Sequence, residues 1–118
     1  MITLLSNDEV PKGFSYPNDF LRIVIEQQLI DFDPWIILHG EQLQTRYIGI
    51  NQRFPNKSII PFARREDNDD VACWLLNDIE NVYIIHDFST QGYEKRKKIS
   101  FWNWLRQALE DTINYDGD

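Results

Sequence analysis

The chain has 118 residues, 42% of them hydrophobic and 14% aromatic, which is enough for one domain with a core of its own. Its formal net charge of −7 makes the molecule as a whole a poor partner for nucleic-acid phosphates, and its one cysteine, Cys73, allows no internal disulfide and fits a reducing compartment. No apolar run approaches membrane-spanning length, and the opening residues lack the basic start and apolar stretch of a secretory leader, so the expectation is a soluble, cytoplasmic, single domain over residues 1–118.

Pro17, followed by Asn18, Asp19, Phe20, Leu21, Ile23, Val24, Gln27 and Gln28, predicts a helix. Proline suits a first turn, an acidic residue favours the positive helix end, and the apolar residues fall on one side. Asp31-Phe32-Asp33-Pro34 reads as its break. Trp35 to Leu38 is a short run of β-formers closed by Gly40, and Glu41 to Phe54 returns to helical spacing through Leu43, Tyr47, Ile50 and Phe54, stopped by Pro55-Asn56.

From Ser58 the pattern turns to strands over Ile59–Ala63, Val71–Leu76 and Val82–Phe88, a meander whose second turn is Asn77 to Asn81. Pro61 lacks a ladder donor, which places the first of these strands at an edge or delays its start. Val82 to Ile85 is apolar on both faces, the mark of a covered strand. Ser89 to Ile99, with Gly92, reads as a polar loop. Ser100 caps a last helix whose stripe is Phe101, Trp104, Leu105, Ala108, Leu109 and Thr112, widened by Trp102 and Ile113. Helices towards the chain ends and a meander in the middle make an α+β domain.

The densest chemistry lies between the first two strands of the meander. Arg64, Arg65, Glu66, Asp67, Asn68, Asp69 and Asp70 form the polar tip of a hairpin thrown clear of the core. Residues 58–88 carry seven acidic and two basic side chains, against seven and five in residues 1–57 and five of each in residues 89–118. The acidity is thus concentrated around this hairpin, where it would steer a cationic partner inward. The same carboxylates could be read as a divalent-cation site, but the glycine and later glutamate of a calcium loop are missing. His39, His86 and Cys73 show no zinc-ligand spacing, and His86 and Asp87 are strand neighbours pointing to opposite faces, so they form no dyad. His86, in the Val82 and Ile84 register, reads as a hydrogen-bonded, partly buried side chain. The basic run Tyr93-Glu94-Lys95-Arg96-Lys97-Lys98 reads as a solvated connector that offsets the acidic hairpin, with a nucleic-acid arm opposed by the surrounding charge. Trp104 belongs to the core stripe, while Trp102 lies at its margin, either a partner anchor or a core-facing residue.

Several of these segments together resemble the SUKH superfamily, which includes the yeast Smi/Knr regulators and bacterial Syd-like proteins. The resemblance rests on Gly40-Glu41 with Tyr47 and Gly49, Ile60-Pro61-Phe62-Ala63, and Asp67-Asn68-Asp69-Asp70-Val71-Ala72-Cys73. It continues through Val82-Tyr83-Ile84-Ile85-His86-Asp87-Phe88 and closes with Phe101-Trp102-Asn103-Trp104-Leu105. It implies an α+β domain with N-terminal and C-terminal helices packed on a mixed, mainly antiparallel sheet. It also implies a non-catalytic role, since the family shares no catalytic residues and its bacterial members are largely immunity proteins that neutralise toxins, often nucleases.

The resulting expectation is a protein-binding domain, not an enzyme, with no cofactor and no metal. Its partner would be a basic toxin domain, met without nucleic acid or membrane. Contacts would come from Glu66, Asp67, Asp69, Asp70, Asp78 and Glu80, with Arg64 and Arg65 fixing their orientation. The alternatives are a regulatory interaction module unrelated to toxins and a metal-dependent hydrolase using the hairpin carboxylates.

Overall fold

The computed structural model describes residues 2–86 and 95–115. It is an α+β domain in which six strands form one sheet in the order of the chain, β1-β2-β3-β4-β5-β6. The elements are α1 (Asn18–Leu21), β1 (Asp31–Phe32), β2 (Trp35–Ile37), α2 (Gly40–Arg53), β3 (Ile59–Arg65), β4 (Asp70–Leu75), β5 (Asp78–His86), β6 (Lys95–Ser100) and α3 (Phe101–Asn114). Every described pairing is antiparallel, with α2 inserted between β2 and β3, so the described sheet lacks the parallel component of a mixed sheet.

The first helix is shorter than its apolar spacing predicts. After Leu21 the backbone widens into a π-helical segment, Arg22–Glu26, with the Gln27 amide bonded to the Arg22 carbonyl, and Gln28 then leaves in a left-handed conformation. The break that follows is itself structured. Asp31 and Phe32 pair with Ile36 and Trp35 across a turn at Asp33-Pro34, and Phe32 is buried. The expected loop from Ser89 to Ile99 is corrected in its second half, where Lys95 to Ser100 pair with β5 as a strand. Asp87 to Glu94, including Gly92 and Tyr93, lie outside the described residues.

Alternation along the strands sends side chains to two different cores. On one face Ile60, Phe62, Ala72, Trp74, Val82 and Ile84 meet Phe20, Val24, Phe101, Trp104, Leu105 and Ala108. Its centre is aromatic: Phe62 stacks on Trp74 at 4.4 Å, and Phe20 and Trp104 meet the pair edge-on at 5.0 and 4.9 Å. On the other face Ile50 of α2 packs with Ile59, Val71, Cys73, Tyr83 and Ile85. Asn51 fastens α2 to the start of β3, donating to the Tyr47 and Ile59 carbonyls and accepting from the Ile59 amide.

Pro61 does not place β3 at an edge, since β3 lies between β2 and β4. The missing donor is accommodated in two ways. Strand β2 reaches only to the Ile37–Ala63 pair, so it ends before Pro61, and the β3–β4 register shifts between Pro61 and Ala63. That bulge leaves Phe62 and Ala63 both in the α3-side core. Beyond it the alternation is inverted, so Arg65 faces α3 and Arg64 faces α2.

Candidate functional site

The hairpin tip forms as its sequence predicts. The Asp69 amide closes back onto the Arg65 carbonyl at 3.0 Å, Asp69 takes a left-handed conformation, and the Asn68 side chain accepts from the Asp70 amide. Glu66 to Asp69 are exposed. What fixes this tip is Arg65. Its Nε and Nη2 grip both oxygens of Asp67 at 2.7 and 3.2 Å, while Nη1 reaches Asp111 near the end of α3 at 3.1 Å. The same Asp111 oxygen accepts from Trp35 Nε1 at 3.0 Å, and the guanidinium lies 6.0 Å from the Trp35 ring. The hydrogen bond to Asp67 is the main influence holding the Arg65 guanidinium in its charged form. A carboxylate near a helix C-terminus opposes the helix dipole, and Arg65 supplies the offsetting charge.

Beside this network is a hollow of about 440 Å³, with Trp35, Ile84, Trp104 and Ala108 beneath and Arg65, Asp70, Gln107, Glu110 and Asp111 around it. Asp70 also faces His86, whose Nδ1 is 3.4 Å from its carboxylate, so His86 is partly buried and polar-partnered as its register predicts. Sequence reading found the hairpin carboxylates but missed Glu110 and Asp111, because nothing in a helical stripe says which strand end its last turn will meet.

Asp78 and Glu80 stand elsewhere. Asp70 pairs with His86 at one end of β4, and Leu75 pairs with Asp78 at the other, so the acidic run of the sequence is divided between opposite ends of the sheet. Asp78 has its own surroundings: it accepts from the Tyr83 hydroxyl, from Asn81 Nδ2 at 2.9 Å, and lies 3.4 Å from Lys98 Nζ. The Tyr83 hydrogen bond, with Asn81 and Lys98 adding to it, holds the Asp78 carboxyl below the usual carboxylate range. Glu80 is exposed on β5. Arg64, turned to the other face, approaches Glu66 at 4.0 Å.

Trp102 is committed to the domain, its Nε1 donating to Asp19 at 2.9 Å and so tying α3 to α1. Among the described residues no group of three or more His, Cys, Asp or Glu side chains could hold a metal ion. No helix of the described chain is long and apolar enough to cross a membrane. No protein-family model matches the chain, and no curated protein and no solved structure shows significant similarity to it.

Proposed function

We propose that the chain is a non-catalytic binding domain that captures a basic protein, in the manner of a cytoplasmic toxin-immunity protein of SUKH type. The observation that carries this reading is the end of the sheet where α3 meets the β3–β4 hairpin. There Asp70, Glu110 and Asp111 line a hollow, and Asp67, held by Arg65, stands with exposed Glu66 and Asp69 on the adjoining hairpin tip. A lysine or arginine of a partner finds there a carboxylate rim. Nuclease toxins must hold phosphate and so present cationic ground, which an acidic inhibitor can occupy by occlusion. Asp78 and Glu80, at the far end of the sheet, contribute to the long-range field rather than to the same contact.

The test is to capture the partner from the native cell, identify it, and measure association as salt is raised. A cationic toxin domain bound one to one and silenced is the expected result. Charge reversal at Glu66, Asp69 and Glu110, which leaves the Arg65 network intact, should slow association by about tenfold or more and flatten its salt dependence. A partner whose association rate ignores both salt and these substitutions would sink the acidic-face reading. A regulatory protein captured in place of a toxin would favour the interaction-module alternative.

A further inference from the structure

A second hollow, of about 690 Å³, lies between α2 and β3, and its charge is opposite to that of the molecule. Arg46, Arg53 and Arg64 line it against one carboxylate, Glu41, in a chain whose net charge is −7. Gln42, Arg46, Gly49 and Arg53 follow one another at helical spacing, so a single stripe of α2 presents them. Arg64 is turned to the same side by the β3 bulge and is steadied by Glu66. Arg46 and Arg53 each make further interactions of their own.

Gly49 makes the arrangement more specific. A Cβ at this position would stand 3.1 Å from Nη1 and 3.5 Å from Nη2 of Arg53, so the guanidinium lies folded back along the helix over the place a methyl group would fill. A mid-helix glycine costs about 1 kcal/mol relative to alanine. Here its absent side chain lets Arg53 lie in the hollow.

We infer that the hollow between α2 and β3 is a binding site for a small phosphate-bearing anion, whose oxygens Arg46, Arg53 and Arg64 share. A guanidinium fork matches two phosphoryl oxygens, and a phosphate offers enough oxygens for several forks, whereas a single carboxylate satisfies one. Thr45 and Gln42 add neutral hydrogen-bonding groups, and the arginine stems and Leu38 supply apolar wall. A long polyanion is disfavoured by the acidity of the rest of the molecule. This site is on the other side of the bulge from the acidic hollow, and the inference stands independently of the partner proposed for that end.

The test is an amide and guanidinium NMR titration of the folded chain with inorganic phosphate and with pyrophosphate, using acetate and chloride at matched ionic strength as controls. Saturable shifts at Thr45, Gly49, Arg53 and Arg64 with a phosphate, absent with acetate, are expected; tighter binding of pyrophosphate would identify a diphosphate as the preferred form. Arg46→Gln and Arg64→Gln should each weaken binding about tenfold or more. Arg53 is exposed, so Arg53→Gln carries the same test should either half-buried variant misfold. Glu41→Gln should tighten binding, and Gly49→Ala should weaken it while raising Tm. No saturable shift with either phosphate, equal shifts with acetate, or shifts unaltered by Arg53→Gln would overturn the inference.

Discussion

Asp111 is the residue on which the acidic end turns. It is the acceptor for Trp35 Nε1 and a partner of Arg65 at once, so removing it strands a donor on a tryptophan that is only 4% exposed. Asp111→Ala should cost about 1–3 kcal/mol by urea unfolding, and Asp111→Asn, which keeps an oxygen for the indole, distinctly less. Equal losses in the two variants would show that charge, not the indole hydrogen bond, is what matters. Asp78 offers a second test at this scale, through pH. Its folded-state value lies below that of the unfolded chain, so its contribution is complete above about pH 4–5 and is lost as the pH falls through the lower, folded value. Asp78→Asn should therefore shallow the acid limb of the stability curve. Tyr83→Phe removes the largest cause and should raise the Asp78 titration, followed by carboxyl NMR, towards the ordinary range; an unmoved titration would rule the hydroxyl out.

At the scale of elements, the strands written as alternating or fully apolar runs were legible, and those defined by their neighbours were not. Ile59 to Leu75 carries its own hairpin signal, with apolar arms and a polar tip, and Ser100 caps α3 through the Asn103 amide as its sequence position implies. Strand β6 has no such signal. Lys95 to Lys98 has no apolar alternation, and it is a strand because β5 offers it an open ladder. Asp31 to Pro34 reads as a breaker because proline and aspartate dominate it, yet Phe32 has a place in the core and the tetrapeptide closes a hairpin. The division of the acidic cluster was equally hidden, since adjacency in sequence does not state which end of a strand a residue occupies. The bulge at Phe62 decides which arginine meets which helix, and the sequence carries only Pro61 as its marker. The seam between α2 and β3 rests on Asn51. Asn51→Ala removes three hydrogen bonds, two of them to the Ile59 backbone, and should cost about 2–3 kcal/mol in chemical denaturation. A loss under about 0.5 kcal/mol would mean water replaces the side chain at no penalty.

Across the whole molecule, the two cores share the same strands. Cys73 and Trp74 are consecutive in β4, both essentially inaccessible, one against α2 and the other in the aromatic cluster. Neither side can dissolve without withdrawing the other's backing, so unfolding should be a single transition. Tryptophan fluorescence and the reactivity of the Cys73 thiol should report the same denaturant midpoint, and an earlier thiol transition would show that α2 detaches first. Charge is distributed on the same plan. Acidic groups gather where α3 meets the hairpin, and the arginine hollow lies behind the sheet, so the −7 total describes neither surface.

The flanks of the sheet restrict how any partner can be met. One flank is β1, only two residues long, and the other is β6, which carries four successive cationic residues. A two-residue edge gives an incoming strand almost no ladder to extend, and a run of lysine and arginine repels a second copy laid alongside. Among the described residues, strand addition is thus disfavoured at the short β1 flank, and pairing with a second copy of this chain is disfavoured at β6. The partner proposed above would then be met by side chains at the ends and faces of the sheet, which can be substituted one at a time.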